Sequence, residues 1–261
     1  MTFSPADAAL IAVVTASFVL EAIIGFGGTV FVVTLGAQLL PLDKLLPAFI
    51  PVGVLLSLAI LWRDRRHVHG GLLLRRVLPF MGIGMAAGLA VPAAVGQAPL
   101  LVAFGVLTMA LALPEALAVA GLRPGAAGAD AGRPPLPRAL SGGILALGGL
   151  VHGLFGAGGP MVVYFLGREH LDRRVFRATL AALWVCLNTV LLASYGIKGY
   201  FNAECGMRAA LLLPGLLVGG ALGQALHDRV DARLFRGAVF ALLFLAGLSL
   251  AVRNLWAMGA S

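Results

Sequence analysis

The chain has 261 residues, of which 60% are hydrophobic and only 11% are charged, and its mean hydropathy is +0.99. About a quarter of the residues in an ordinary soluble domain are charged, so this composition excludes a soluble globular protein and also a disordered chain. The formal net charge of +8 is typical of basic loops on one side of a membrane, and we expect no nucleic-acid partner.

Ten apolar segments follow one another, and their lengths predict an all-α, polytopic protein that spans a lipid bilayer. The longest polar break covers residues 123–137 and contains several prolines and glycines. We interpret residues 1–122 and 138–261 as two membrane repeats, joined by this cytoplasmic linker. The ten segments lie at residues 8–24, 29–40, 46–62, 77–95, 98–121, 139–155, 158–167, 178–197, 209–226 and 237–252.

An internal repeat supports this division into halves. The sequence Glu21-Ala-Ile-Ile-Gly-Phe-Gly-Gly-Thr29 aligns with His152-Gly-Leu-Phe-Gly-Ala-Gly-Gly-Pro160 at an offset of 131 residues. A weaker match, at an offset of 135 residues, aligns proline and glycine positions further along each half. These aligned positions are Pro79 with Pro214, Gly84 with Gly219, and Gly88 with Gly223.

Each glycine motif lies between two apolar pieces. Together the two pieces form either one long broken span or a returning hairpin. With broken spans, 11 of the 19 lysines and arginines lie inside and 8 outside; with hairpins, 15 lie inside and 4 outside. The positive-inside rule therefore favours hairpins. A returning hairpin plus three transmembrane helices crosses an odd number of times, so the halves form an inverted repeat, a common build of secondary transporters.

The two glycine motifs also predict a binding site. Non-helical backbone is tolerated at membrane depth only where protein or water satisfies its polar groups. A helix begins after each motif, and its free N–H groups and partial positive charge suit an anion. Close helix packing is the alternative role of these glycines. The predicted substrate-binding residues are Gly25, Gly27, Gly28, Thr29, Gly156, Gly158, Gly159 and Pro160.

Three polar residues within apolar segments extend this predicted site. Glu21 and His152 occupy equivalent positions of the repeat, and an ionisable side chain in a membrane segment marks a pathway or proton site by default. We expect these two residues to tune the site or carry a proton. Asn188 is a further predicted substrate ligand, through its amide donor. The alternatives are a backbone-bonded Glu21, a packing role for His152 and an interhelical hydrogen bond from Asn188.

Other classes of function find little support. The sequence contains no Walker loop and no metal-binding spacing of His or Cys, so we expect neither an enzyme nor a cofactor nor a metal site. The small-residue ridges Gly84-x-x-x-Gly88 and Gly215-x-x-x-Gly219-x-x-x-Gly223 predict helix–helix packing, and they permit a homodimer.

The motifs at 21–29 and 152–160, with the segments 79–88 and 214–223, resemble the TauE/SafE family of membrane permeases over nearly the whole chain. The resemblance implies a bacterial inner-membrane carrier of small sulfur-containing anions, such as sulfite, sulfoacetate or related organosulfonates. We predict a secondary transporter with alternating access and proton coupling; a passive anion channel and a non-transporting membrane subunit are the alternatives. The family motif maps onto Gly25, Gly27, Gly28, Gly156, Gly158, Gly159 and Pro160.

Overall fold

The computed structural model describes residues 5–24, 27–91, 95–119, 136–226 and 232–259, and every regular element in these ranges is helical. A 3₁₀ turn, Arg65–His67, follows the third helix, and a π-helical turn, Leu73–Val77, joins the fourth helix to the fifth. The helices are α1 (Pro5–Ile24), α2 (Gly28–Gly36), α3 (Leu42–Asp64), α4 (Gly70–Leu72), α5 (Leu78–Ala90), α6 (Gln97–Val119), α7 (Arg138–Phe155), α8 (Gly159–Leu166), α9 (Arg173–Ile197), α10 (Ala203–Leu226) and α11 (Ala232–Gly259).

Eight helical stretches in the described residues are long and apolar enough to cross a membrane, α4 and α5 forming one of them. The helices α2 and α8 have only nine and eight residues. At a rise of about 1.5 Å per residue they are less than half as long as the ~30 Å hydrocarbon core. Each of the ten predicted apolar segments contains a described helix, and the prediction of a polytopic all-α membrane protein is confirmed.

Local sequence explains where several helices begin. Prolines precede α3 and α7, at Pro41 and Pro137, with extended backbone that ends the preceding loop. Asp172 precedes α9, and its carboxylate accepts a hydrogen bond of 3.0 Å from the Arg174 amide. Such a cap satisfies one of the N–H groups that lack a partner in the first turn.

Glycines allow the long helices to pack closely in pairs, α5 against α7 and α10 against α1. A methyl group on Gly84 of α5 would overlap the Ala146 carbonyl oxygen of α7. On α10, a methyl group on Gly219 would overlap the Thr15 carbonyl oxygen of α1. Both glycines belong to the predicted small-residue ridges, so the helix-packing role of those ridges is confirmed.

Charged residues divide between the two ends of the bundle. At one end, Arg208 Nη2 lies 3.0 Å from Glu204 Oε1, and Lys44 Nζ lies 3.8 Å from the same carboxylate. Arg208 also pairs with Asp7, near the start of α1. The start of α1, the start of α3 and the start of α10 therefore share one end, which we call the α1 end.

The opposite end, called here the arginine-rich end, joins segments from both halves of the chain. Arg76 Nη1 lies 3.2 Å from Glu169 Oε1, and Asp64 lies between Arg174 and Arg177 at 3.8 and 3.7 Å. The hairpin interpretation requires the segments 63–76 and 168–177 to share a side, as they do here. The inverted relation of the halves and their boundaries stay predictions, since residues 123–135 of the linker lie outside the described ranges.

Candidate functional site

Both glycine motifs form sharp turns between a long helix and a short one. Gly27 precedes α2 with a φ of 95°, and Gly156 ends α7 with a φ of 65°. Positive φ values of this kind favour glycine, because a Cβ atom clashes with the backbone there. The Gly156 amide donates a 2.7 Å hydrogen bond to the His152 carbonyl, which closes the end of α7. The predicted helix starts at Gly28 and Gly159 are confirmed.

The two turns meet in the middle of the molecule. The position of a Cβ atom on Gly156 lies 3.7 Å from Thr29 Cγ2 and 2.8 Å from Ile50 Cδ1. Around this contact lies a cavity of about 40 Å³, called here the central cavity. One water needs roughly 10–15 Å³ by this measure, so the cavity accommodates a group of only a few heavy atoms. Eight predicted residues line it: Glu21, Gly27, Gly28, Thr29, His152, Gly156, Gly159 and Asn188.

The start of α2 turns several backbone donors toward the central cavity. The first helical hydrogen bond runs from the Phe31 amide to the Gly27 carbonyl at 3.0 Å. The amides of Gly28, Thr29 and Val30 precede that bond, and all three residues line the cavity. No side chain caps α2. The first N–H groups of a helix lack helical partners and carry about half a positive charge.

The start of α8 approaches the same cavity from the second half of the chain. Gly159 opens the helix and lines the cavity, and no side chain caps this helix. Pro160 follows and has no N–H of its own to satisfy, which suits it to the first helical turn. The cavity therefore receives the positive ends of two helices, and no lysine or arginine of the described residues lines it.

His152 and Asn188 bring buried polar atoms without partners to this cavity. His152 is 1% exposed and Asn188 is 8% exposed. Neither ring nitrogen of His152, nor Oδ1 of Asn188, has a hydrogen-bond partner within the described residues. Trp184 stacks on the imidazole with 5.4 Å between ring centroids and 18° between planes. Buried polar atoms are satisfied in nearly all native sites, so the His152 ring points to a ligand. Asn188 Oδ1 is an acceptor and suits a donor such as the neighbouring His152 ring, so only the Asn188 amide nitrogen could donate to an anion.

Glu21 lies against the first turn of α2. A methyl group on Gly28 would overlap Glu21 Oε2 and lie 3.1 Å from the Ser17 carbonyl oxygen. The carboxylate thus sits beside the first turn of α2 and lines the central cavity together with His152. The repeat-related pair that the sequence singled out therefore faces one small space.

Two predicted residues of the described chain, Gly158 and Pro160, do not line the cavity. Gly25 lies outside the described residues. Gly158 precedes α8, and a methyl group there would overlap the Gly148 carbonyl and lie 2.9 Å from His152 Cβ. Its visible role is close packing of the turn on α7. Pro160 occupies the first turn of α8. Substrate contact by these three residues stays a prediction.

Sequence reasoning missed several residues of the cavity wall. Phe49, Ile50, Gly53 and Ser57 of α3 line the cavity, as does Trp184 of α9. Trp184 precedes Asn188 by four residues, and residues four apart share one helix face. That spacing offered a signal for Trp184, whereas the apolar α3 offered none.

A larger cavity leads from the central cavity toward the arginine-rich end. It has a volume of about 670 Å³, and Glu21, Ser57 and Trp184 line both spaces. Arg177 lines its outer part. We call it the vestibule. Toward the α1 end lies a separate cavity of about 210 Å³ near Lys198, and it shares no described lining residue with the central cavity.

Comparison with known proteins agrees with this architecture. The sulfite exporter TauE/SafE family matches residues 9–250, nearly the whole chain. The chain belongs to the TauE/SafE sulfite exporter family. It is therefore a multi-pass membrane transporter, and the eight described stretches that are long and apolar enough to span a membrane agree with this.

Shorter similarities link this family member to other bacterial proteins. It is 35% identical over 91 residues to YfeO of Salmonella typhimurium strain LT2 and to YfeO of Salmonella newport strain SL254. The name of both relatives describes a proposed ion-transport protein. The match covers 34% of this chain and only 21% of each relative. No solved structure gives a significant match. Among the described residues, no group of three or more His, Cys, Asp or Glu could hold a metal ion.

Proposed function

We propose that this transporter carries a small sulfur oxyanion, such as sulfite, sulfoacetate or a related organosulfonate, across the bacterial inner membrane. The observation that carries the proposal is the meeting of both glycine turns, two helix starts and the buried, unpartnered imidazole of His152 in one central cavity. The anionic head would lie there, against backbone amides, His152 and Asn188. The organic part of a larger sulfonate would extend into the vestibule past Trp184.

The charge of the central cavity suits a singly charged head group, such as hydrogen sulfite or the sulfonate group of an organosulfonate. Each helix start contributes about half an elementary positive charge, so α2 and α8 together offset about one negative charge. Dipoles and neutral donors hold an anion without a fixed ion pair, which permits its release on either side. An oxyanion also accepts several hydrogen bonds at once, which suits convergent amides better than a halide does.

Glu21 is the proposed coupling group. An ionised Glu21 and a bound anion would lie in the same small cavity, and two negative charges repel strongly where water is scarce. Protonation of Glu21 therefore favours anion binding, and anion binding favours protonation by the same free energy. His152 offers a second proton-carrying group on the opposite wall. Transport of one anion together with one proton follows from this linkage.

Alternating access is the proposed transport cycle. In this conformation the vestibule connects the central cavity to the arginine-rich end, which the positive-inside rule assigns to the cytoplasm. The cavity near Lys198 is separate from the site. A rearrangement of the two halves would exchange these connections. A passive anion channel, in contrast, needs one continuous path.

Substrate counterflow in proteoliposomes tests the proposal. Labelled sulfite or sulfoacetate should exchange saturably, and Asn188→Leu should raise KM about 10- to 150-fold, since a hydrogen bond to a charged group contributes about 1.5–3 kcal/mol. Thr189→Val is the matched control, because the exposed Thr189 hydroxyl donates only to the Val185 carbonyl. Normal transport by Asn188→Leu would overturn the proposed site. Unsaturable anion current without counterflow would establish a channel.

The proton step has a separate test. Glu21→Gln mimics a permanently protonated carboxyl group, so counterflow should persist while accumulation driven by a pH gradient is lost. Accumulation equal to that of the unmodified protein would refute proton carriage by Glu21. It would leave the anion site itself in place.

A further inference from the structure

A separate cavity, lined by basic residues, lies at the arginine-rich end, away from the transport site. It has a volume of about 690 Å³ and lies where the π-helical turn, the start of α7 and the α8–α9 connection meet. It shares no described lining residue with the central cavity or the vestibule. Its function is therefore separate from the proposed passage of substrate. We call it the basic pocket.

Positive charge exceeds negative charge in this pocket. Arg75, Arg76 and Arg138 line it together with one carboxylate, Glu169. Glu169 Oε1 lies 3.2 Å from Arg76 Nη1 and is engaged by that arginine. The guanidinium groups of Arg75 and Arg138 have no hydrogen-bond or ion-pair partner among the described residues. Two arginines from different helices thus remain available to one ligand.

The pocket also has an apolar wall. Phe80 lines it, is 40% exposed and packs on Gly142 of α7, where a Cβ atom would lie 2.9 Å from Phe80 Cε1. Leu74, beside Arg75, is 66% exposed, and Ile83 is 69% exposed. These side chains belong to a membrane-spanning stretch, Gly70–Ala90, and so offer a surface to acyl chains. The basic pocket therefore combines arginine side chains with apolar side chains at the end of a membrane-spanning stretch.

The π-helical turn places the two neighbouring arginines where the α5 stretch begins. Leu73–Val77 interrupts an otherwise continuous helical stretch with five residues of wider winding. Such single turns are energetically poor and occur frequently at functional sites. The turn lets Arg75 and Arg76 line the same pocket although they are adjacent in sequence.

We propose that the basic pocket binds the phosphate group of an anionic phospholipid. Arg75 and Arg138 would hold the phosphate oxygens through paired N–H donors, the geometry that guanidinium groups present to phosphate. The acyl chains would run along Phe80, which lines the pocket, and Ile83, which lies three residues further along the same face of α5. Because Arg75 belongs to the first half and Arg138 begins the second, the bound lipid would tie the two halves together at the arginine-rich end.

Native mass spectrometry of the purified full chain tests this site with phosphatidylglycerol as the probe. Removing both free arginines, as in Arg75→Gln with Arg138→Gln, should weaken binding about 25-fold, at about fivefold for each arginine. Arg66→Gln, which removes one positive charge at an exposed residue of the same end outside the pocket, should leave binding unchanged. Glu169→Gln removes the single carboxylate and should tighten binding about fivefold.

Two further arms identify the source of the phosphate group. Phosphatidylcholine, which is zwitterionic, should bind more weakly than phosphatidylglycerol. Inorganic phosphate at millimolar concentration should not displace the lipid; equal binding of inorganic phosphate would overturn the lipid assignment in favour of a soluble anion.

The remaining outcomes also decide the matter. Equal lipid binding by the double arginine variant and Arg66→Gln would overturn the site. If the double variant does not fold, Glu169→Gln decides, and unchanged or weaker binding would then overturn it. Since the pocket and the central cavity share no described lining residue, substrate counterflow by Arg66→Gln and Glu169→Gln reports on the transport proposal independently.

Discussion

The substitution His152→Phe separates a ligand-binding role from a packing role. Phenylalanine preserves an aromatic ring for the stack on Trp184, whose centroid lies 5.4 Å away. It removes two ring nitrogens that are buried and without partners in the described structure. The ligand role therefore predicts weaker substrate binding and the packing role predicts no change, while both leave the packing of the site largely intact.

The expected magnitudes follow from the burial of the ring. Loss of a hydrogen bond to a bound anion should weaken substrate affinity by about 1.5–3 kcal/mol, or roughly 10- to 150-fold. Without substrate the change should be stabilising, because a buried unsatisfied polar group costs about 1–3 kcal/mol. For a chain of this size 1 kcal/mol corresponds to about 2–4 °C in Tm. We therefore expect a higher Tm without ligand and a smaller rise in Tm on adding it.

Thermal unfolding of purified protein, with and without sulfite or sulfoacetate, measures both effects. Counterflow in proteoliposomes measures the change in KM. His67→Phe, at an exposed histidine of the arginine-rich end, is the control and should alter neither ligand stabilisation nor KM. Unchanged KM and unchanged ligand stabilisation in His152→Phe would refute the inferred anion contact and leave His152 as a packing residue.

Two further substitutions test packing and substrate access. Gly84→Ala should destabilise the protein by about 1–3 kcal/mol, because its Cβ would overlap the α7 backbone. Gly82→Ala has open space and should be neutral or stabilising by about 0.5–1 kcal/mol; Tm in detergent compares them. Arg177→Gln should raise KM for uptake from the arginine-rich end about fivefold, the effect of roughly 1 kcal/mol of attraction. Arg174→Gln, whose arginine pairs with the same aspartate but does not line the vestibule, should leave that KM unchanged.

Clear outcomes would contradict each of these expectations. Equal Tm values for the two alanine variants would show that α5 and α7 do not pack as described. Equal KM values for the two arginine variants, measured in proteoliposomes of defined orientation, would show that the vestibule is not the access route for the substrate.

The glycine motifs illustrate how much of the site the sequence could predict. The recurrence of Gly-x-Gly-Gly in both halves predicted two turns, and helices do begin at Gly28 and Gly159. This was possible because positive φ and helix starts depend on a few neighbouring residues. The motif alone did not show that Gly158 packs against the Gly148 carbonyl while Gly159 lines the cavity. Neighbouring glycines are chemically identical, and only their surroundings distinguish them.

The walls contributed by α3 illustrate what the sequence could not show. Phe49, Ile50 and Ser57 lie in an ordinary apolar segment with no motif, yet they complete the central cavity. In lipid, apolar residues gain little from burial between helices, so helix partners depend on small-residue packing and shape. Hydropathy therefore locates a helix in the membrane without indicating which face meets another helix.

Length, hydropathy and charge by themselves determined that this chain is a polytopic helical membrane protein with two glycine-broken segments. Those properties follow from the cost of exposing apolar side chains to water and unpaired backbone groups to lipid. Only the tertiary structure decided that the Gly27 and Gly156 turns meet, that His152 and Asn188 lie there without partners, and that Arg177 lines the vestibule. These are contacts between distant parts of the chain. They are set by the close packing of whole helices, which no local sequence pattern encodes.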